Sequence, residues 1–255
     1  MTEQETIQSI WESHGRGIHF PAEWTGKLDL DEAYRVQLGI LALNVEHGSR
    51  HAGWKVGLTA DAIREMFGAG APVFGYLLAE NSLDSGHEFT FSDLRSPAVE
   101  SEVLVTLGRD LTGPGVTAED ARGAVAAIAP AFEIVERRGG DLGTDFTLGI
   151  ADNVMQRCFV HGSEQPLPPD LDLGDVQVDV SINGQVKASA LGKQVMDNPL
   201  QSLAWLANSL TTFGQGLKAG QRVMTGSFTK PIPAERGDAF ESRFTHLGNV
   251  NITFG

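Results

Sequence analysis

The chain has 255 residues, 41% of them hydrophobic, which is enough to bury one full core and fits a single β-rich or α/β domain. Its formal net charge of -14 argues against nucleic acid and anionic membrane surfaces as partners, because both require a positive field. The acidic N-terminus lacks signal-peptide features, no apolar run is long enough to span a membrane, and Cys158, the single cysteine, can form no intramolecular disulfide. These features predict a cytoplasmic protein.

The first fifty residues are predicted to be helical. Apolar residues recur at helical spacing in this segment, and Gly48 stands where the second half of it would stop being a helix. From Gly53 onward, short apolar runs alternate with glycines, which is typical of strands. The prediction is therefore one domain over residues 1–255, with a helical segment over 1–50 and a β-rich core over 51–255.

The strands of the core are predicted from short apolar runs that glycine, proline or polar residues interrupt. Asn183-Gly184 is typical of a tight hairpin turn and would join one of these strands to the next. The predicted strands are residues 53–58, 100–107, 131–136, 176–182, 222–225 and 238–254.

Two helices are predicted between these strands. Thr117 can cap the first, which would run to about residue 129, where Pro130 ends it. Asn198 can cap the second, with Pro199 at its first position and Gly214 at its end. The sequence thus predicts an α+β fold that is β-rich at its centre and carries helices at its periphery.

Lys55 interrupts an otherwise apolar strand between Gly53 and Gly57. Its ammonium group either reaches solvent or is held out of water as an acid/base whose charge is tuned by nearby carboxylates. The local sequence leaves both interpretations open.

Glu100 and Glu102 lie two residues apart in a predicted strand, and Glu133 lies in the next one. Residues two apart on a strand point to the same face, so Glu100 and Glu102 project into one space. On a half-exposed strand both carboxylates would simply be solvated. Inside a fold their repulsion must be offset by shared protons or a divalent cation, and an all-oxygen ligand set suits Mg²⁺ or Mn²⁺ better than zinc.

Gly226 and Ser227 follow a predicted strand in the segment Thr-Gly-Ser-Phe-Thr. Backbone N–H groups and hydroxyls in such a segment can bind a carboxylate. An ordinary glycine turn explains the same residues, so the segment alone does not decide between them.

Taken in chain order, seven segments resemble the 2-keto-4-pentenoate hydratase and 4-oxalocrotonate decarboxylase family, part of the fumarylacetoacetate hydrolase superfamily. The resemblance covers nearly all of the chain beyond about residue 30. Each motif is weak by itself, but the shared order and spacing are specific to the family. The segments are Gly53–Thr59, Pro72–Gly75, Val99–Glu102, Ala131–Val135, Ala151–Asn153, Asn198–Asn208 and Leu217–Ser227.

The resemblance implies a mixed β-roll or barrel core that carries a Mg²⁺ or Mn²⁺ site within a single catalytic domain. It implies Glu100, Glu102 and Glu133 as the metal ligands, which favours the metal interpretation of these acids. It also implies Lys55 as the catalytic residue and a homo-oligomer as the assembly.

The substrate that the resemblance implies is a small 2-oxo carboxylic acid in contact with Phe74, Gly226 and Ser227. Such an acid can chelate a metal through its carboxylate and adjacent oxygen, and the cation would stabilise the enolate that forms. Lys55 would carry the proton of this tautomerisation. A hydratase then adds water to the activated alkene, whereas a decarboxylase uses the same electron sink when CO₂ leaves.

One residue departs from the family pattern. Hydratases of this family commonly have Pro-Asp-Phe/Tyr-Gly where this chain has Pro-Val-Phe-Gly, so Val73 replaces an acid. Because an aliphatic side chain cannot move a proton, this change weakens the hydratase assignment and keeps the decarboxylase as the alternative.

Two further functions remain open. An acylpyruvate C–C hydrolase would need a base to activate water, usually a His and Glu pair on an N-terminal lid, and Glu12, His14 and His19 lie in that region. A non-catalytic subunit that supports a partner enzyme would keep the fold and the metal, although the retained Lys55 argues against it.

Overall fold

Six α-helices and thirteen strands make up the computed structural model, which describes residues 2–255. The helices are α1 (Glu3–Gly15), α2 (Leu30–Glu46), α3 (Asp61–Phe67), α4 (Ala118–Ala124), α5 (Phe146–Ala151) and α6 (Pro199–Thr211). The strands are β1 (His51–Gly57), β2 (Val73–Leu78), β3 (Ser82–Asp84), β4 (His87–Phe89), β5 (Pro97–Leu107), β6 (Val125–Glu136), β7 (Gln156–His161), β8 (Gln177–Ile182), β9 (Gln185–Leu191), β10 (Arg222–Ser227), β11 (Ile232–Pro233), β12 (Ala239–Phe244) and β13 (Gly248–Phe254).

The larger sheet has eight strands in the order β2-β1-β10-β5-β6-β7-β3, with β11 paired to β5. Its centre is the long antiparallel pair of β5 and β6, which runs from the Pro97↔Glu136 pair to the Leu107↔Val125 pair. Strand β1 pairs in parallel with β10 and antiparallel with β2. This order brings β1, β5, β6 and β10 side by side, which sets the position of the candidate site.

The smaller sheet has five strands in the order β4-β13-β12-β8-β9 and packs against the larger one. The rings of Phe132 and Phe240 meet edge to face across this interface, with centres 6.5 Å apart. The buried hydroxyls of Ser101 and Ser242 form a hydrogen bond there, with 2.8 Å between their Oγ atoms. Each sheet keeps two open edges over residues 2–255, so the predicted α+β fold with a mixed β core is confirmed, and the core does not close into a barrel.

The helical N-terminal segment packs on one face of the larger sheet. Helices α1 and α2 both begin with a capping box, in which the side chains of Thr2 and Asp29 accept a hydrogen bond from the backbone amide of the third helical residue. Helix α2 packs against α1 and α5. Its buried Gln37 donates to the carbonyls of Phe74 and Ile150, which holds the helix to β2 and α5.

Most predicted elements are found. The second predicted helix is α6, where the Asn198 side chain accepts from the amide of Leu200 and Gly214 has a φ of +67° shortly after the last turn. Asn183 and Gly184 both have positive φ and join β8 to β9, as a two-residue hairpin turn requires. Among residues 2–255, no helix is both long and apolar enough to cross a membrane.

Two predicted elements are wrong in extent. The helix that Thr117 caps ends at Ala124 and not near Pro130, because β6 pairs with β5 from Val125 onward and includes Pro130, which lies opposite Val103. The predicted strand over 238–254 is a hairpin of β12 and β13, since His246 and Gly248 adopt positive φ between them.

Candidate active site

Strands β5 and β6 bring three carboxylates into one space. Glu100 lies directly opposite Glu133 in the antiparallel register, and Glu102 lies two residues further along the same face of β5. One carboxylate oxygen of each residue lies within 4.8 Å of the others. Glu102 and Glu133 are fully buried and Glu100 is half-buried, so these acids face the interior and not bulk water. We call these three residues the acidic triad.

The three carboxyl groups of the acidic triad have raised pKa values. Burial, followed by the charge of Glu133, raises the pKa of Glu100 to about 7. Burial also raises the pKa values of Glu102 and Glu133, and the neighbouring carboxylates raise that of Glu102 further. Three carboxylates cannot all remain ionised so close together without a compensating positive charge.

Lys55 supplies part of that charge. Its Nζ lies 3.0 Å from Oε1 of Glu133 and donates a hydrogen bond to Oε2 at 3.3 Å. Burial by itself would lower the pKa of Lys55. The negative charges of Glu133, Glu100 and Glu102 outweigh this effect, so the pKa is raised above its usual value. The side chain is only 2% exposed, which excludes an ammonium group that reaches solvent.

Gly226 and Ser227 lie at the end of β10 beside Glu102. The ladder between β10 and β5 is irregular there, and the Gly226 amide donates to Oε2 of Glu102 at 2.8 Å. Gly226 has a φ of +112°, and a Cβ would lie 2.5 Å from Cγ2 of Thr59, so only glycine fits. Ser227 pairs opposite Glu102, and its buried Oγ has no hydrogen-bond partner.

The acidic triad fits a divalent cation of the hard class. Its donors are all oxygen, and Oε1 of Glu102 is buried without a hydrogen-bond partner. Buried polar atoms are normally satisfied, so an unpartnered carboxylate oxygen among acids is consistent with a cation ligand. Carboxylate oxygens are the ligands that Mg²⁺ and Mn²⁺ prefer.

The residue that departs from the family pattern lies beside the lysine. Val73 pairs opposite Gly57, and a Cβ on Gly57 would lie 3.3 Å from Cγ2 of Val73 and 3.6 Å from Nζ of Lys55. Val154 approaches the same point, at 3.5 Å from its Cγ1. The site wall next to Lys55 is therefore aliphatic.

Val154 lies in a loop for which no role is predicted from the sequence. Asn153, Val154 and Met155 all have positive φ, which a β-branched residue adopts rarely. The Asn153 side chain stabilises the loop because it accepts from the Tyr76 amide at 2.7 Å and donates to the Tyr76 carbonyl at 2.9 Å. The matched segment Ala151–Asn153 pointed to this region, but nothing in it indicated three consecutive left-handed residues.

Phe74 is the one predicted site residue that does not join the acidic triad. Its ring stacks on Tyr34 at 4.2 Å and contacts Trp54 and Phe213 edge to face. Residues 74 and 55 point to opposite faces of the β1–β2 pair, because Phe74 lies opposite Val56 in the register. We therefore assign the Phe74 side chain to the hydrophobic core beneath the site.

Comparisons with known proteins agree with this geometry. Residues 69–254 match the family described as fumarylacetoacetate (FAA) hydrolase C-terminal. A 2-hydroxyhexa-2,4-dienoate hydratase from Comamonas testosteroni is 35% identical over 230 residues, which cover 89% of this chain and 87% of that protein. A 2-keto-4-pentenoate hydratase from Paraburkholderia xenovorans is 30% identical, with 98% and 94% of the two chains covered.

A solved structure extends the similarity to the whole fold. The structure of 4-oxalocrotonate decarboxylase from Pseudomonas putida G7, complexed with magnesium and adipate, is similar with a TM-score of 0.93 at 29% identity. The alignment covers 100% of this chain and 99% of that one. The family that the sequence motifs indicated is thus confirmed by identity, coverage and architecture together. This chain belongs to the fumarylacetoacetate hydrolase family.

Proposed function

We propose that this chain is a divalent-metal-dependent lyase that acts on a 2-oxo acid in its 2-hydroxydienoate form, as a hydratase of a 2-keto-4-pentenoate-type substrate. The observation that carries the proposal is Lys55, fully buried in contact with Glu133 of the acidic triad. A buried cation beside three carboxylates is a costly arrangement that is typical of functional sites. Hydratase relatives that align over most of both chains support this assignment.

Glu100, Glu102 and Glu133 would hold the metal, which we propose is Mg²⁺ or Mn²⁺. A bound cation would supply electrostatic stabilisation for negative charge on the oxygens of a 2-oxo acid. The solved decarboxylase structures that resemble this chain are complexed with magnesium and with calcium, which supports a hard divalent ion. The Gly226 amide positions Glu102 for this role through its hydrogen bond to Oε2.

Lys55 would move the proton. Because the triad raises its pKa, the ammonium form predominates at neutral pH and can donate a proton to the carbon chain of a dienol substrate. The unpartnered hydroxyl of Ser227 beside Glu102 can donate to the substrate carboxylate. Val73 and Val154 would exclude water from the lysine and pack against the carbon chain.

A 4-oxalocrotonate-type decarboxylase is the second candidate, and Val73 is the observation that favours it. The side chain is 2% exposed and lies beside Lys55, where family hydratases commonly have an acid. An aliphatic residue there offers no second proton carrier for water addition. Loss of CO₂ needs the electron sink but no activated water.

The hydrolase alternative receives less support. His14 and His19 contact Asp152, whereas Glu12 accepts a hydrogen bond from Gln8. The His and Glu pair expected of such a hydrolase is thus not assembled among these residues. We further propose that residues 1–255 act as one catalytic domain and that it forms a homo-oligomer, as the family resemblance implies.

The test is a proton and carbon NMR time course of the enzyme with Mg²⁺, with 2-hydroxypenta-2,4-dienoate and 2-oxo-hex-3-enedioate in separate samples. Formation of 4-hydroxy-2-oxopentanoate from the first substrate is the expected result. CO₂ release from the second substrate alone would replace the hydratase by the decarboxylase. No turnover of either would overturn the proposed lyase and favour acylpyruvate hydrolysis or a non-catalytic subunit.

A further inference from the structure

A second group of potential metal ligands lies outside the acidic triad. His14 at the end of α1, His19 in the segment after it, and Asp152 after α5 converge on one point. Nε2 of His14 lies 3.7 Å from Oδ1 of Asp152, and Nδ1 of His19 lies 2.8 Å from the same oxygen. We call these three residues the histidine cluster.

The spacing of the histidine cluster suits a small tetrahedral ion. Ligand atoms about 2.0–2.1 Å from such an ion stand about 3.3 Å apart, and the two distances to Asp152 lie on either side of this value. The two imidazole rings stack, with centres 4.8 Å apart and 28° between their planes, so both lie beside the Asp152 carboxylate. A shift of about half an ångström in the His19 ring would open room for the ion.

One atom of the histidine cluster lacks a partner in the fold. Nε2 of His14 is buried and makes no hydrogen bond, although its ring contacts that of His19. Buried imidazole nitrogens are normally satisfied, so a nitrogen aimed at a carboxylate and a second imidazole points to a ligand. Two nitrogens and one carboxylate oxygen are the donor types that zinc takes in proteins.

Arg138 orients the carboxylate of the cluster. Its Nη2 donates to Oδ2 of Asp152 at 2.9 Å and to the Asp152 carbonyl at 3.2 Å, which leaves Oδ1 facing the two histidines. Hydrogen bonding of a ligating carboxylate by such a neighbour is common at metal sites. The guanidinium also weakens the attraction of Asp152 for any cation, so binding would depend mainly on the two imidazoles, which zinc takes as ligands more readily than Mg²⁺ does.

The cluster is open to solvent on one side. His14, His19 and Asp152 line a cleft of about 410 Å³, whose wall also includes Tyr76 and Arg138. Water or a small anion can therefore reach a fourth coordination position. No residue of the acidic triad lines this cleft.

We propose that His14, His19 and Asp152 bind one borderline divalent ion of the zinc class, with water as a fourth ligand. This site is separate from the acidic triad and does not depend on the proposed lyase activity. Since Asp152 precedes the left-handed loop that carries Val154, the ion would fasten the N-terminal segment to a wall of the candidate active site.

The experiment is a Co²⁺ titration of the full-length protein, followed by visible absorption. Mg²⁺-saturated wild type and the Glu102→Gln variant are compared, since the acidic triad is occupied in the first and impaired in the second. We expect both proteins to take up one Co²⁺ with the intense bands of tetrahedral coordination, and Zn²⁺ to displace it. Absence of these bands in both, or only the weak absorption of octahedral Co²⁺, would overturn the proposal.

Variants of the ligands sharpen the result. His14→Gln and His19→Gln should each weaken the affinity for Co²⁺ by at least ~10-fold. The control variant His246→Asn, at an exposed position, should leave this affinity unchanged. Asn tolerates the positive φ of that control position. Equal uptake by all three variants would also overturn the proposal. If a ligand variant fails to fold, the spectra of wild type and Glu102→Gln still decide the question.

Discussion

The acidic triad and the histidine cluster each gather three potential ligands, but the fold assembles them in different ways. The acidic triad lies on two adjacent strands whose register fixes the distance between Glu100 and Glu133. The histidine cluster joins the N-terminal segment to a loop more than a hundred residues away, through Asp152. A site built on a sheet is positioned by many backbone hydrogen bonds, whereas the histidine cluster depends on how α1 packs.

The donor atoms differ as much as the scaffolds. The acidic triad offers only carboxylate oxygens, and Lys55 offsets part of their charge, whereas the histidine cluster offers two imidazoles and a carboxylate held by Arg138. The first set suits a hard cation and proton transfer, and the second suits a borderline ion with a structural role. Changes in the acidic triad should therefore reduce turnover, and changes in the histidine cluster should reduce stability.

The two largest effects on turnover are expected from Glu102→Gln and Lys55→Met. For Glu102→Gln we expect turnover to fall by more than ~100-fold, because loss of a ligand should exceed the 10–100-fold cost of losing an outer-shell partner. Steady-state kinetics at saturating Mg²⁺ measure this effect, with the exposed Glu119→Gln as the matched control. Comparable turnover of Glu102→Gln and this control would separate Glu102 from the chemistry.

Lys55→Met should reduce turnover by about 10²–10⁴-fold, the usual contribution of a general acid or base. The methionine keeps most of the buried volume but carries no proton. Metal binding should persist, because all three carboxylates remain. Single-turnover kinetics at saturating metal test this, and an unchanged rate would exclude Lys55 as the proton carrier.

The acidic triad should bind metal less well in acid. The pKa of Glu100 is raised to about 7, chiefly by burial and next by Glu133, and a ligand must lose its proton before it binds. We expect apparent Mg²⁺ affinity to fall as the pH drops below about 7, by ~10-fold per pH unit for each carboxylate that must lose its proton. Isothermal titration calorimetry across this range measures the slope, and a flat profile would contradict the shift.

The same shift affects the stability of the metal-free protein in the opposite sense. A raised carboxyl pKa means that the folded state binds more protons than the unfolded state between pH 4.5 and about 7. Stability without metal should therefore fall as pH rises through this window, and Mg²⁺ should restore it at the upper end. Thermal unfolding with and without Mg²⁺ tests the sign.

Val73→Asp should raise the ratio of hydration to decarboxylation by about 10-fold, since it restores an acid beside Lys55. Val73→Asn is the matched control, because it has the same shape and cannot donate a proton at neutral pH. The NMR time course gives both product ratios. An equal change in the two variants would attribute the effect to polarity and not to proton transfer.

The smallest effect is expected from His19→Gln without added metal. Loss of the 2.8 Å contact with Asp152 should lower the free energy of unfolding by about 1 kcal/mol, because the pair lies at the edge of a cleft. Turnover should change little. Chemical denaturation measures the difference, and a large loss of activity with unchanged stability would place His19 in the chemistry.

Much of the acidic triad was predictable because its information is local. The two-residue spacing of Glu100 and Glu102 requires a shared strand face, and the neighbouring apolar residues identified both strands. Whether that face is buried was not predictable from spacing, since its burial depends on strands from distant parts of the chain, such as the one that carries Lys55. The family resemblance supplied that step, and the burial of Lys55 agrees with it.

The histidine cluster and the role of Phe74 were not predictable in this way. The contact between His19 and Asp152 depends on tertiary packing across the chain, and no local pattern in the sequence encodes it. Strand β2 is buried at all six positions, so its sequence lacks the alternation that would show Phe74 facing away from Lys55. Long-range contacts, and not propensity, decide both features.

The most direct test of the acidic triad as the metal centre is a Mn²⁺ titration followed by electron paramagnetic resonance. Wild type, Lys55→Met and Glu102→Gln are titrated after one equivalent of Zn²⁺ per chain has been added to fill the histidine cluster and no free Zn²⁺ remains. We predict that wild type and Lys55→Met each bind one Mn²⁺ per chain and that Glu102→Gln binds none in the same range. Equal binding by Glu102→Gln would contradict the assignment.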